Sequence, residues 1–238
     1  MGDEKSIHAG HRKRMKSAML EAGLDGLNSH QIIEMLLFYA IPKVDTNPIA
    51  HELVNRFGNL RGVLEADYNE LVQVKGIGEN AASLIKFAQL LSGRYLRDSC
   101  FDDGVMCVSD TEALKRYFEG AFLGVKNEQI RAMVIDDNLC MLKESIIVEG
   151  TIDKVEFNSR KFIDFVVKND CNRVVIAHNH PMGNAVPSKA DVDATISLLK
   201  TLKVCDIELM DHIIVAKTGS LSMHSFKHGF GIWIENNE

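Results

Sequence analysis

The segment Val174-Val175-Ile176-Ala177-His178-Asn179-His180-Pro181 constrains this chain more than any other stretch. Four consecutive apolar residues, three of them β-branched, read as a short buried strand. Side chains alternate faces along a strand, so His178 and His180 leave on the same side. Neutral imidazole is a preferred ligand for zinc and similar ions. Seven residues after His180 comes Ser188, and two further on comes Asp191, at the start of an apolar-periodic helix. Asp191 is the expected third ligand. Three protein ligands leave the fourth position of a tetrahedral ion open, as catalytic sites require.

Plainer readings compete. A surface His-x-His pair is more often solvated than metal-bound. Ser188-Lys189-Ala190-Asp191, ahead of Val192, Ile196, Leu199 and Leu202, also fits a helix capping box with Ser188 as N-cap. The cap accounts for Ser188. It does not account for paired histidines at a strand end or for the loop Pro181–Pro187 between the two.

With 238 residues and 46% hydrophobic content, the chain has enough material for two modest domains with real cores. No apolar stretch is long enough to span a bilayer; Ile32–Ile41 is short and interrupted by Glu34. The N-terminus carries no hydrophobic signal segment. The five cysteines are odd in number, widely spaced and free of Cys-x-x-Cys, which suggests reduced thiols in a cytoplasmic protein. Residues 1–98 carry 12 basic and 12 acidic side chains, and residues 99–238 carry 15 and 21. Neither half has the excess of positive charge that tight phosphate binding needs.

Residues 5–93 read as helical, with stops at Gly23 and Gly58, a start at Asn47-Pro48 with Asn47 as cap, another start at Asp67, and a last helix over Glu79–Leu91. The pattern breaks over 94–109. From there strands are expected at 130–135, 139–148, 173–177 and 207–215, and helices at 110–118, 159–167 and 188–203. The expected division is a helical domain over 1–96, a linker at 97–107, an α/β domain over 108–228 and a tail at 229–238. The basic run His8–Arg14 reads as a solvated helix start. Val74-Lys75-Gly76-Ile77-Gly78 looks like the hairpin of a helix-hairpin-helix module. Backbone N–H groups at Gly76 and Gly78, with Lys75 and the positive end of the next helix, would meet a phosphate. The alternative there is an ordinary connecting turn, and Glu79 would oppose an anion.

The spacing His-x-His, seven residues, Ser, two residues, Asp resembles the JAMM motif of JAB/MPN metallopeptidases. His178-Asn179-His180-Pro181, Asp211-His212-Ile213-Ile214-Val215, Phe57–Ala66 and Val74–Gly78 together resemble the RadC family, from about His11 to about Phe226. The chain has Asn179 where deubiquitinating JAMM enzymes usually have Ser or Thr. It has Met182 and Asn184-Ala185-Val186 where RadC proteins usually have Ser and Asp-Pro-Thr. The resemblance implies an α+β two-domain protein: a small all-α helix-hairpin-helix domain, then a JAB/MPN domain of cytidine-deaminase-like layout with a mixed sheet flanked by helices. It implies a metal-dependent peptidase or isopeptidase with zinc, one per chain, on His178, His180 and Asp191; manganese, nickel or cobalt would also suit the ligands. It implies Glu128 as general base, with Glu144 and Glu149 as local competitors, and Ser188 assisting the oxyanion. His212 reads as a structural or supporting residue rather than a ligand, and His224 and His228 as exposed. The expected partner is a peptide or isopeptide, with weak non-specific DNA contact through Lys75, Gly76 and Gly78. The alternative is a DNA-associated binding module whose metal site is structural or idle. The His-x-Glu and Pro-Cys-x-x-Cys signatures of zinc deaminases are absent.

Overall fold

The structure, a computed structural model, describes residues 4–150 and 159–225. The expected tail 229–238 and His228 lie outside the described residues. The chain divides into two compact units, Met1–Leu91 and Ser92–Glu238.

The first unit is helical: α1 (Glu4–Ala22), α2 (Ser29–Ala40), α3 (Asn47–Phe57), α4 (Leu60–Glu65), α5 (Tyr68–Val72) and the opening turns of α6 (Glu79–Asp98). Its core is built from Ile33, Leu37, Leu53, Val63, Leu71 and Ile85, all essentially without exposure. Capping boxes start α2 at Asn28 and α5 at Asp67. Two local expectations are corrected. Asn47 is not the cap of α3; Thr46 precedes the helix, and the Asn47 amide instead donates to the buried Glu34 carboxylate at 2.9 Å. Nor is the basic run simply solvated. His11 Nε2 lies 3.0 Å from Glu34, and Arg12 donates to the carbonyls of Phe38, Ile41, Pro42 and Val44, satisfying acceptors at and beyond the end of α2.

The second unit is a five-stranded mixed sheet in the order β2-β1-β3-β4-β5. The strands are β1 (Glu128–Ile135), β2 (Met141–Gly150), β3 (Arg173–His180), β4 (Glu208–Ala216) and β5 (Gly219–Ser222). β3 and β4 are parallel and joined through α9 (Lys189–Val204); the other neighbours are antiparallel. Helix α8 (Ser159–Lys168) and α9 cover one face, where Phe162, Val166, Leu199 and Leu202 pack on Val134, Val174, Ile176 and Ile214. Helix α7 (Thr111–Ala121) covers the other, with Leu114 and Phe118 against Met133, Val175, Ala177 and Ile213. A strand covered on both faces has no use for polar alternation, which is why β3 reads as a continuous apolar run.

Two differences from the sequence reading concern element lengths. β5 was not expected; four short residues, two of them serine, carry almost no strand signal. Helix α6 continues to Asp98 rather than stopping at Leu91. Gly93 serves as a close-packing point against α7. A Cβ at Gly120 would lie 2.7 Å from the Gly93 carbonyl oxygen, and one at Gly93 would lie 2.8 Å from that of Gly120. Because both obstacles are backbone, neither can rotate away. Gly120→Ala should therefore lower stability by about 1–3 kcal/mol, the range for overpacking. Urea unfolding checks this, and an unchanged midpoint would show that the helices do not approach this closely.

Candidate metal centre

β3 continues past the apolar run, so both histidines lie within the strand rather than after it. His178 and His180 share the face of Val174 and Ile176, the face on which α9 packs. Helix α9 begins at that end of the sheet, with Ser188 as N-cap and Asp191 at the third helical position. The three side chains converge. His178 Nε2 is 2.8 Å from His180 Nε2 and 3.2 Å from Asp191 Oδ1, and His180 Nε2 is 3.4 Å from Asp191 Oδ2. Among the described residues they form the one group of His, Cys, Asp and Glu side chains arranged to hold a metal ion.

The donors fit such an ion. Bonds of about 2.0–2.1 Å in a tetrahedron place neighbouring ligand atoms roughly 3.3 Å apart, close to the separations seen here. His178 is buried and His180 half-buried, and each ring turns its other nitrogen away. His180 Nδ1–H donates to the Asn184 carbonyl at 2.8 Å, and His178 Nδ1 meets His212 Nε2 at 2.7 Å. The capping box and the ligand are one residue in two roles. The Asp191 N–H donates to Ser188 Oγ at 3.2 Å, and the Ser188 N–H donates to Asp191 Oδ2 at 2.7 Å, which aims the carboxylate. Burial acts to raise the Asp191 carboxyl, but the contacts with His178 and His180 prevail and hold it well below the usual carboxylate range. The hydrogen-bonding contact with Asp191 raises His180, against burial. Burial pushes His212 well below the usual imidazole range.

The model of the RadC-like JAB domain family matches residues 108–229. The chain belongs to the RadC family. It is also 29% identical to a UPF0758 protein of Fusobacterium nucleatum over 90% of this chain and 94% of that one. The family match covers the unit that carries the converging side chains, and its RadC-like JAB fold agrees with the mixed sheet described above.

In this RadC-family chain Glu128 is the first residue of β1, and its carboxylate acts electrostatically on His180. The competing carboxylates are engaged elsewhere. Glu144 accepts from Arg131 at 2.7 Å and from Tyr117 at 3.0 Å, and Glu149 accepts from the Gln129 amide at 2.8 Å. Ser188 is exposed at the mouth of the site. Lys75, Gly76 and Gly78 belong to the helical unit and are surface residues of the α5–α6 connection.

Two further side chains organise the centre. Asn179, between the histidines, is buried. Its carbonyl oxygen accepts from the Gln129 N–H at 2.7 Å and its amide donates to the Asn127 carbonyl at 3.0 Å, bracketing Glu128. Backbone pairing of β1 with β3 ends at Ile130–His178, so this side chain replaces the next rung of the ladder. Thr195, one turn after Asp191 on α9, is buried against His212. The i, i+4 spacing to Asp191 is the signal that could have found it; for Asn179 no sequence pattern exists. Asn179→Ala should leave the Gln129 amide without its partner, destabilise the chain by roughly 1–3 kcal/mol and increase hydrogen exchange at Gln129. Unchanged exchange there would mean that Asn179 does not hold the start of β1.

Proposed function

We propose that this chain is a metal-dependent hydrolase of peptide or isopeptide bonds, with zinc as the best match to two imidazoles and one carboxylate. The observation that carries this reading is the convergence of His178, His180 and Asp191 beside Glu128 at one end of the sheet. A divalent ion held there would supply a water nucleophile near neutral pH and would polarise the substrate carbonyl.

The chain's own groups supply the rest. His178, His180 and Asp191 would hold such an ion. Glu128 takes the proton of the attacking water and passes it to the departing amine. Asn179 keeps Glu128 in place by pinning the residues on either side of it. The Ser188 hydroxyl accepts from the Asp191 N–H, which leaves its own hydrogen to donate to the developing oxyanion. Substrate selection falls to the loop 181–187, where Met182 is 82% exposed and presents an apolar surface beside the site.

Glu128→Gln removes a proton carrier and no ligand. It should retain about one metal ion per chain by elemental analysis and lose hydrolysis by ~10²–10⁴-fold on any peptide or isopeptide the wild type cleaves. The double variant His178→Ala, His180→Ala should lose the metal and remain folded. A Glu128→Gln variant with wild-type rate would move the base elsewhere, and metal retained by the double variant would refute the ligand set.

A second reading, a DNA-associated module, draws on the α5–α6 connection. Lys75, Gly76 and Gly78 are exposed there, beside the N-terminus of the 20-residue helix α6. Gly76 has φ 93°, and a Cβ on it would meet Ile49 at 2.8 Å, so changing it would disturb the fold itself. Gly78 has open space around it, which makes Gly78→Val the cleaner probe of backbone approach. If the hairpin holds a phosphate, the full chain should bind fluorescent duplex DNA weakly, with a salt slope of about one to three phosphates. Gly78→Val should abolish that binding and Lys75→Ala weaken it. Equal binding by all three proteins would leave the hairpin as a helix connection.

A further inference from the structure

We propose that Thr195 and His212 are positioning residues that fix the tautomer of His178, so that its Nε2 presents a lone pair to the ion. This rests on the metal-site reading given above and extends it to two residues outside the ligand set.

Thr195 Oγ1 lies 2.6 Å from the Asp191 carbonyl oxygen. Two oxygens that close repel unless a hydrogen lies between them, and only the hydroxyl has one to give. The Thr195 hydrogen is therefore committed to Asp191. Thr195 Oγ1 is also 2.7 Å from His212 Nδ1, and toward that ring it can only accept. His212 must then carry its proton on Nδ1. A neutral ring protonated on Nδ1 has a bare Nε2, and that atom sits 2.7 Å from His178 Nδ1. His178 must donate there, so its own proton is on Nδ1 and its Nε2 is bare. The chain of donation runs from His178 to His212 to Thr195 to the Asp191 carbonyl. It starts at one ligand and ends on the backbone of another.

His180 reaches the same state by a shorter route, because its Nδ1–H donates to the Asn184 carbonyl. Two Nε2 lone pairs then face each other at 2.8 Å with a carboxylate beside them. Such a cluster of donors favours a cation at its centre. Metal-ligating histidines generally donate their other N–H to an oxygen that fixes the ring. For His178 that role passes through a second imidazole.

His212 reaches this position because of a β-bulge. Opposite Val174 and Val175 of β3 stand Leu209 and Asp211, so Met210 is an extra residue in β4. Strict alternation would put residues three or five apart on opposite faces. Here Met210 and Ile213 pack in the α7-side core, and Leu209 and Ile214 both pack in the α9-side core. The slip of one residue turns His212 toward His178 and Thr195. The bulge is secured by Asp211, whose carboxylate accepts from the His212 N–H at 2.7 Å, the Ser222 hydroxyl at 2.6 Å and the His224 N–H at 3.1 Å.

The test is made on the full chain with ¹⁵N-labelled histidine, by long-range ¹H–¹⁵N correlation of the metal-free protein above the imidazole titration range. Zinc affinity is measured in parallel by competition with a chelator. The wild type should show His178 and His212 protonated on Nδ1. Thr195→Ser keeps the hydroxyl and should keep both tautomers and the affinity. Thr195→Val keeps the shape and removes the acceptor. It should erase the Nδ1–H preference of His212 and lower zinc affinity by about 10–100-fold. A wild-type His212 protonated on Nε2 would overturn the proposal whatever the variants do. So would a Thr195→Val variant that binds zinc as tightly as the wild type, and in that case the metal reading stands. A wild type that takes up no zinc overturns the metal reading instead, and this role with it.

Discussion

Strand β3 is enclosed by helices on both faces, and its alternation puts His178 and His180 on the side where α9 begins. The remaining arrangement depends on that parity. A slip of one residue would turn both imidazoles toward α7 and replace them with Asn179 alone. The slip is opposed by the apolar residues of the same strand. Val174 and Ile176 are committed to the α9-side core, and Val175 and Ala177 to the α7-side core. Packing thus fixes the register, and the register fixes which atoms meet Asp191.

The centre is then assembled from short-range connections rather than from a single element. The capping box of α9 aims the Asp191 carboxylate, the Asn184 carbonyl sets the His180 ring, and the Asn179 amide secures the residues around Glu128. Each of these is a hydrogen bond between a side chain and backbone, at a strand start, a helix N-terminus or the loop between β3 and α9. The end of the sheet serves as a site because unsatisfied backbone is available there to orient side chains. Elsewhere in this unit Glu144 serves structure, accepting from Arg131 and Tyr117.

Much of this was legible in the sequence, for identifiable reasons. The β-branched run gave the strand, its parity gave the histidine pair, and Ser188 with Asp191 gave the start of α9. The RadC resemblance agrees with the family match over residues 108–229. What stayed hidden depended on tertiary context. The continuation of α6 past Leu91 stays hidden unless Gly120 is known to lie against Gly93. Arg12 reads as solvated unless the carbonyls at and beyond the end of α2 are in view. The bulge at Met210 leaves no composition signal, so period-two counting from Leu209 places His212 on the wrong face. Asn179 acts through two hydrogen bonds to distant backbone that no spacing rule anticipates, and for Thr195 only the i, i+4 spacing to Asp191 is visible, not the contact with His212.

The central claim is that His178, His180 and Asp191 share one divalent ion. Anomalous scattering from a crystal of the zinc-loaded protein, collected on both sides of the zinc absorption edge, tests it most directly. The account predicts one strong peak per chain, about 2.0–2.2 Å from both Nε2 atoms and an Asp191 carboxylate oxygen, with the fourth direction open to solvent. No peak among these three side chains, or a fully occupied peak ligated by other residues, would contradict it.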